Sequence, residues 1–182
     1  MRYRTTLSFA TFIVIVSYLA FYGSNSYAQS GFSLTSTAFT AGSTIPVANS
    51  CTGNNESPPL SWNGAPAGTK SFVLILSDPD APHGTFIHWV AFDIPGSATS
   101  LPAGVPHVDQ IPSGGEQGMN AAAKIGYIGP CPPPGKVHHY HFTLYALNAT
   151  INLPKGASLT AVKSAMEAHV IGKTDLVGTF SR

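Results

Sequence analysis

Apolar and polar positions change rhythm several times along the chain, and each rhythm predicts a different element. From about Leu7 to Tyr22 the residues are almost all apolar, behind the basic start Met1-Arg2-Tyr3-Arg4 and ahead of a polar stretch ending Ser26-Tyr27-Ala28. A positive start, an apolar centre and a small-x-Ala end predict a secretory signal peptide over residues 1–28, removed after Ala28. The alternative is a retained anchor, but the apolar run is shorter than the roughly 20 residues that span a bilayer. A single domain over 29–182 follows.

Within that domain Phe32 to Thr37 alternates weakly and predicts an early strand. Ser71 to Leu76 is continuously apolar, as expected of a strand covered on both faces, and it stops at Asp78-Pro79-Asp80-Ala81-Pro82, where proline forbids regular pairing. Ile87 to Ile94 resumes as a strand until Pro95-Gly96. Residues 95–136, rich in Gly, Pro, Ser and Asn, read as long surface loops. His138 to Leu147 is the clearest strand, full of aromatic and β-branched residues. Ser158 caps a predicted helix reaching about Ile171, with Leu159, Val162, Met166 and Val170 at helical spacing and Gly172 as its stop. The pattern is that of a mostly antiparallel β domain with one late helix.

Composition narrows this further. Only 9% of the 182 residues are charged, with 18 Gly and 15 Pro, which excludes a coiled coil, a long helical bundle or a charged disordered tail. Loss of Arg2 and Arg4 with the leader leaves seven basic against eight acidic residues. No strongly basic surface can form, so nucleic acid is excluded as a partner. Export, to the periplasm or the medium, places Cys51 and Cys131 in an oxidising compartment. Two cysteines permit one intramolecular disulfide or two thiols, and the sequence does not choose between them.

Three polar groups of residues stand at strand ends or within strands. Asp78 and Asp80 flank Pro79, with Pro82 following, either as turn caps or as a presented pair of carboxylates. Strict alternation puts His88 with Val90 and Phe92 on one face and Trp89 with Ala91 on the other. In His138-His139-Tyr140-His141 it separates His138 and Tyr140 from the His139/His141 pair, a spacing that can bind Zn or Cu given further ligands. Gly129-Pro130-Cys131-Pro132-Pro133-Pro134-Gly135 is a stiff run suited to walling a small site. No nucleophile elbow, zinc-protease helix, phosphate loop, dinucleotide fingerprint or Cys-x-x-Cys is present.

Taken in order, Ser57-Pro58-Pro59-Leu60-Ser61-Trp62, Asp78-Pro79-Asp80-Ala81-Pro82, His88-Trp89, the Gly129–Gly135 run, His138-His139-Tyr140 and Leu176-Val177-Gly178-Thr179 resemble the phosphatidylethanolamine-binding protein (PEBP) family. The match is to its bacterial, Raf-kinase-inhibitor-like branch. The resemblance implies two antiparallel sheets with a few helices, one near the C-terminus. It also implies a small anion-accepting pocket lined by Asp78, Asp80, His88, His138 and Tyr140, with Gly129, Pro132 and Pro133 in its rim. Two departures stand out: His139 replaces the common Arg, and Phe180 stands where bacterial members often carry Tyr. His and Tyr side chains and rim N–H groups would donate to phosphate oxygens, while the two aspartates orient and charge the imidazoles.

The function expected is that of an exported, non-enzymatic binding protein without cofactor. Its ligand would be a small anionic or zwitterionic group such as a phosphoethanolamine-like head group. The alternatives are an inhibitory module for a kinase or protease, and a hydrolase or metal-binding protein. A homodimer is the default assembly.

Overall fold

Strand and loop signals resolve into two sheets in the computed structural model, which describes residues 31–107 and 110–182. The predicted signal peptide lies outside the described residues. In chain order the strands are β1 (Ser33–Thr35), β2 (Leu60–Asn63), β3 (Ser71–Asp78), β4 (Phe86–Pro95), β5 (Ser100–Leu101), β6 (Glu116–Gln117), β7 (His138–Leu147) and β8 (Val170–Phe180), with one helix, α1 (Leu159–Met166), before the last strand. The small sheet has the order β1-β2-β5 and the large one β6-β4-β3-β7-β8, with antiparallel pairing throughout.

Strand β3 is central, and its unbroken apolar run is explained by cover on both faces. Phe72, Leu74 and Leu76 point into the core between the sheets, where they join Trp62, Trp89, Tyr140, Phe142 and Leu144. Val73 and Ile75 point the other way, beneath α1, and pack with Val90, Phe92, Val162 and Met166. The side chains of a strand alternate between faces, so a strand buried on both sides keeps its polar residues, here Ser71, Ser77 and Asp78, to its two ends. The C-terminal end is Asp78.

The helix is shorter than its periodicity suggests. Ser158 does cap it, accepting from the Ala161 amide, but the α-helix ends at Met166, a 3-10 turn spans Glu167–His169, and Val170 begins β8. The segment from Val170 is rich in β-branched residues, and it pairs along almost the full length of β7. Ten cross-strand partners outweigh the weak helical preference of one further turn. Gly172 is therefore a strand residue opposite Ala146, not a helix stop.

The stretch read as surface loops also departs from expectation. It contributes the short strands β5 and β6, and it buries Val105, Ile111, Gln117, Asn120 and Tyr127. The Trp89 indole donates to the Gln117 side chain at 2.7 Å, and the Gln117 amide donates to the Pro106 carbonyl at 2.8 Å. Side-chain hydrogen bonds thus supply the order that a ladder supplies elsewhere. Among the described residues no helix is long and apolar enough to cross a membrane.

Candidate functional site

A register irregularity in β4 creates the site. Leu76 pairs with Trp89 and Ser77 with Ile87, so His88 has no partner on β3. It is the extra residue of a β-bulge, which bends the strand and redirects a side chain. Simple alternation placed His88 with Val90 and Phe92. The bulge corrects this: the imidazole lies edge-on to Tyr140 at 5.3 Å and beside Phe86 at 4.8 Å, on the face that Asp78 shares. Backbone pairing left open on β3 is made with the rim, since Ile128 N–H donates to the His88 carbonyl at 3.0 Å.

His88 is 4% exposed, and its Nδ1 sits 2.8 Å from the Ile128 carbonyl. A carbonyl can only accept, so Nδ1 carries the proton and Nε2 is the free ring nitrogen. Burial lowers the His88 pKa, outweighing the carbonyls of Ile128 and Gly129 and the Asp78 charge, which raise it. The ring is neutral at pH 7. The expectation that an aspartate would charge this imidazole is overturned: its partner is a carbonyl.

His138 does have a carboxylate partner. Its Nδ1 lies 2.8 Å from Asp78 Oδ2, with 3% and 5% of the two side chains exposed. Asp78 Oδ1 accepts the Asp80 amide at 2.9 Å, so both carboxylate oxygens are engaged. The strand position explains the meeting: Asp78 is the last residue of β3 and His138 the first of β7, at adjacent ends of neighbouring strands. Removing one partner of such a buried pair costs about 3–5 kcal/mol, because the other is left uncompensated.

These residues open on a cleft of about 240 Å³ lined by Asp78, His88, His138, Gly129, Pro132 and Pro133, and by Ala81, Pro82, Phe86, Ile128 and Cys131. Asp78, His88 and His138 are its polar side chains, and the rest of the lining is apolar. Tyr140 is fully buried behind it, stacked on His138 with ring centroids 6.5 Å apart. Asp78 and the backbone of Cys131 are the polar groups that act on its hydroxyl. Burial and then the neighbouring Asp78 charge raise its pKa, so it stays a neutral donor. Asp80 lies outside the cleft. Its Oδ2 accepts from the backbone N–H of His139 and sits 2.8 Å from the His139 Nδ1. Phe180 is buried in the inter-sheet core opposite His138 and contributes no polar group.

The rim is braced from distant parts of the chain. Cys131 is joined to Cys51 in a disulfide with Cα atoms 5.4 Å apart. Gly129 N–H donates to Asn55 Oδ1 at 2.7 Å, Tyr127 Oη donates to the Asn49 carbonyl at 2.6 Å, and Arg182 Nε donates to the Pro132 carbonyl at 2.6 Å. A Cβ on Gly129 would sit 2.5 Å from the Asn49 carbonyl oxygen, so only glycine permits this approach. Rim amides were expected to serve the ligand. That of Gly129 is spent on Asn55, and the prolines have none. Phe86 and Asn55 were not legible as site residues. Only the pairing of Phe86 with Asp78 reveals the first, and the second lies 74 positions from its partner.

The fold and the cleft define a two-sheet antiparallel β domain with a histidine–aspartate couple at one end. A family model described as "Phosphatidylethanolamine-binding protein" matches residues 35–181, and the chain belongs to that family. A UPF0098 protein of Methanothermobacter thermautotrophicus is 48% identical over 145 residues, covering 80% of this chain and 95% of the relative. LppC of Mycobacterium tuberculosis strain H37Rv, named as a candidate lipoprotein, is 41% identical over 81% of this chain and 71% of its own. Among solved structures, YbcL of E. coli, described as a new member of the mammalian PEBP family, superposes with a TM-score of 0.78 at 33% identity. That match covers 84% of this chain and 99% of YbcL.

Two outcomes follow from this geometry. Replacing both Cys51 and Cys131 by Ser is expected to lower unfolding stability by up to about 4 kcal/mol in urea, the loop-closure value for a bridge of this span; an unchanged midpoint would contradict the bracing role. For His88 the unfolded chain takes up a proton near pH 6.5 that the folded chain refuses, so its contribution costs stability as pH falls through that value and is nil above it. Urea unfolding between pH 7.5 and 5.5 is expected to show a shallower loss in His88→Gln than in the wild type. Parallel losses would contradict the buried, neutral assignment.

Proposed function

We propose that this protein is an exported, non-enzymatic binding protein whose cleft takes a small phosphate- or carboxylate-bearing group, with a zwitterionic phosphoethanolamine-like head group as the best fit. The observation that carries this reading is the buried Asp78–His138 couple opening on a proline-walled cleft. With Nδ1 held by Asp78, the His138 Nε2 is the ring atom left for a ligand, and in the imidazolium form it donates to an anionic oxygen. His88 Nε2 supplies a further polar contact, and the buried Tyr140 ring backs His138 from behind. An unpaired carboxylate would repel a phosphate. Asp78 is neutralised in effect by His138 and the Asp80 amide, while its residual negative field favours an ammonium group nearby.

The apolar walls, Pro82, Phe86, Pro132 and Pro133, suit the methylene groups between the charged ends. Their stiffness lowers the entropy lost on binding. Family membership agrees with a small-ligand role, and the candidate-lipoprotein name of the mycobacterial relative agrees with export. The three polar side chains need no nucleophile or metal for this task.

Isothermal titration of the purified protein with phosphoethanolamine is the direct test. Wild type is expected to bind, with His138→Ala weakened at least tenfold. His138→Asn keeps a donor for Asp78 and separates loss of contact from loss of fold. Equal affinity in all three removes His138 from the site, and no binding by the wild type removes the reading.

A further inference from the structure

A second cavity, of about 540 Å³, neighbours the cleft, and Ile128 lines both. Three stretches of chain meet around it: the first brings Asn55, the second His107, and the third Asn120, Lys124 and the residues up to Ile128. Each stretch is tied down. Beside His107, the Pro106 carbonyl accepts the Gln117 side-chain amide at 2.8 Å. A Cβ on Gly126 would come within 3.1 Å of the His107 Cα, so the third stretch packs directly on the second. Asn120, only 5% exposed, accepts the Lys124 amide at 3.2 Å and donates to the Gly126 carbonyl at 3.0 Å, which shapes the loop that presents Lys124.

Asn55 is aimed by the rim. It stands at φ 57°, in the left-handed region that asparagine tolerates better than most non-glycine residues. Its Oδ1 accepts the Gly129 amide at 2.7 Å. A backbone N–H needs an oxygen, so the carboxamide has one orientation, and Nδ2 is the group left to donate into the cavity that Asn55 lines. Lys124 and His107 are exposed. Among the described residues neither has a salt-bridge partner, and none of those lining the cavity carries a carboxylate.

We propose that this cavity binds the phosphate group of a small phosphomonoester through Lys124, His107 and the Asn55 Nδ2, as a site separate from the cleft.

A phosphomonoester carries close to two negative charges and three terminal oxygens. That matches three donor side chains reaching one space from three stretches of chain, with Lys124 as the point charge. A carboxylate has one charge and two oxygens, and leaves one of the three donors unmatched. The cavity volume falls in the usual small-molecule range of roughly 300–1,000 Å³. It therefore has room for the organic part of the ester, with Ile125 and Ile128 as apolar wall. The two cavities differ in sign. Asp78 in the cleft suits a zwitterion, whereas the lysine here, with no described carboxylate beside it, suits a net anion.

The test is titration of glycerol phosphate, which lacks an ammonium group, into the purified protein, followed by calorimetry and by proton–nitrogen spectra of the side-chain amides. Saturable binding is expected, with a shift of the Asn55 Nδ2 signal. Lys124→Ala and Asn55→Asp are each expected to weaken it at least tenfold. Asn55→Asp keeps an oxygen for the Gly129 amide and replaces the donor by a negative charge, so it spares the rim. Lys163→Ala, the same charge change on α1, and His138→Asn, a change in the cleft, leave it unaltered. Glycerate, the carboxylate counterpart, is expected to bind at least tenfold more weakly. Circular dichroism checks that each variant is folded. No binding by the wild type, wild-type affinity in either Lys124→Ala or Asn55→Asp, or glycerate binding as tightly as glycerol phosphate would overturn the site. Phosphoethanolamine binding at the cleft is expected to persist in Lys124→Ala, so this site and the cleft reading can fail separately.

Discussion

One buried hydrogen bond, between Asp78 and His138, sets what the rest of this domain has to do. It closes the open ends of two neighbouring strands and places a carboxylate and an imidazole where the sheet would otherwise continue apolar. A buried carboxylate is tolerated only when its oxygens are satisfied. The Asp80 amide and His138 do this, and the proline on either side of Asp80 limits the turn to shapes that keep the amide in place. Everything above the couple is then wall and brace. The β4 bulge turns His88 toward it, Tyr140 lies behind it, and a disulfide and three long-range side-chain bonds hold the proline rim over it.

Strand β7 serves two environments through the simple alternation of its side chains. Even-numbered positions, from His138 through Tyr140 and Phe142 to Ala146, face the cleft end and the inter-sheet core. Odd-numbered positions carry His139 and His141, each with its own carboxylate. The aspartates that serve the two faces, Asp78 and Asp80, come from the same turn. Asp78 Oδ1 accepts the Asp80 amide, while the two carboxylates meet different histidines, His138 and His139.

Much of this was legible in the residues. Strands β3, β4 and β7 follow from apolar runs and punctuation, and the Asp78 to Pro82 motif marks the end of β3. The rim announces itself by its prolines. What was not legible came from pairing and register. Helical spacing continued past Met166, yet the chain turned into β8 because β7 offered a full-length partner. Alternation sent His88 to the wrong face, since a bulge is a property of two strands and one sequence shows only one of them. Asp80 looked equivalent to Asp78, but a β-turn rotates successive side chains apart, and it met His139 instead. Asn55 is joined to the rim only by the fold.

The central claim is that Asp78 holds the His138 ring by Nδ1 and leaves Nε2 for the ligand. Long-range proton–nitrogen correlation spectra of the imidazoles, recorded with and without phosphoethanolamine, read both nitrogens directly. The account predicts a persistent Nδ1 proton with a strong hydrogen-bond shift in both states, and a ligand-dependent change at Nε2 of His138. A ligand-dependent loss of the Nδ1 proton, or an Nε2 resonance indifferent to saturating ligand, would contradict it.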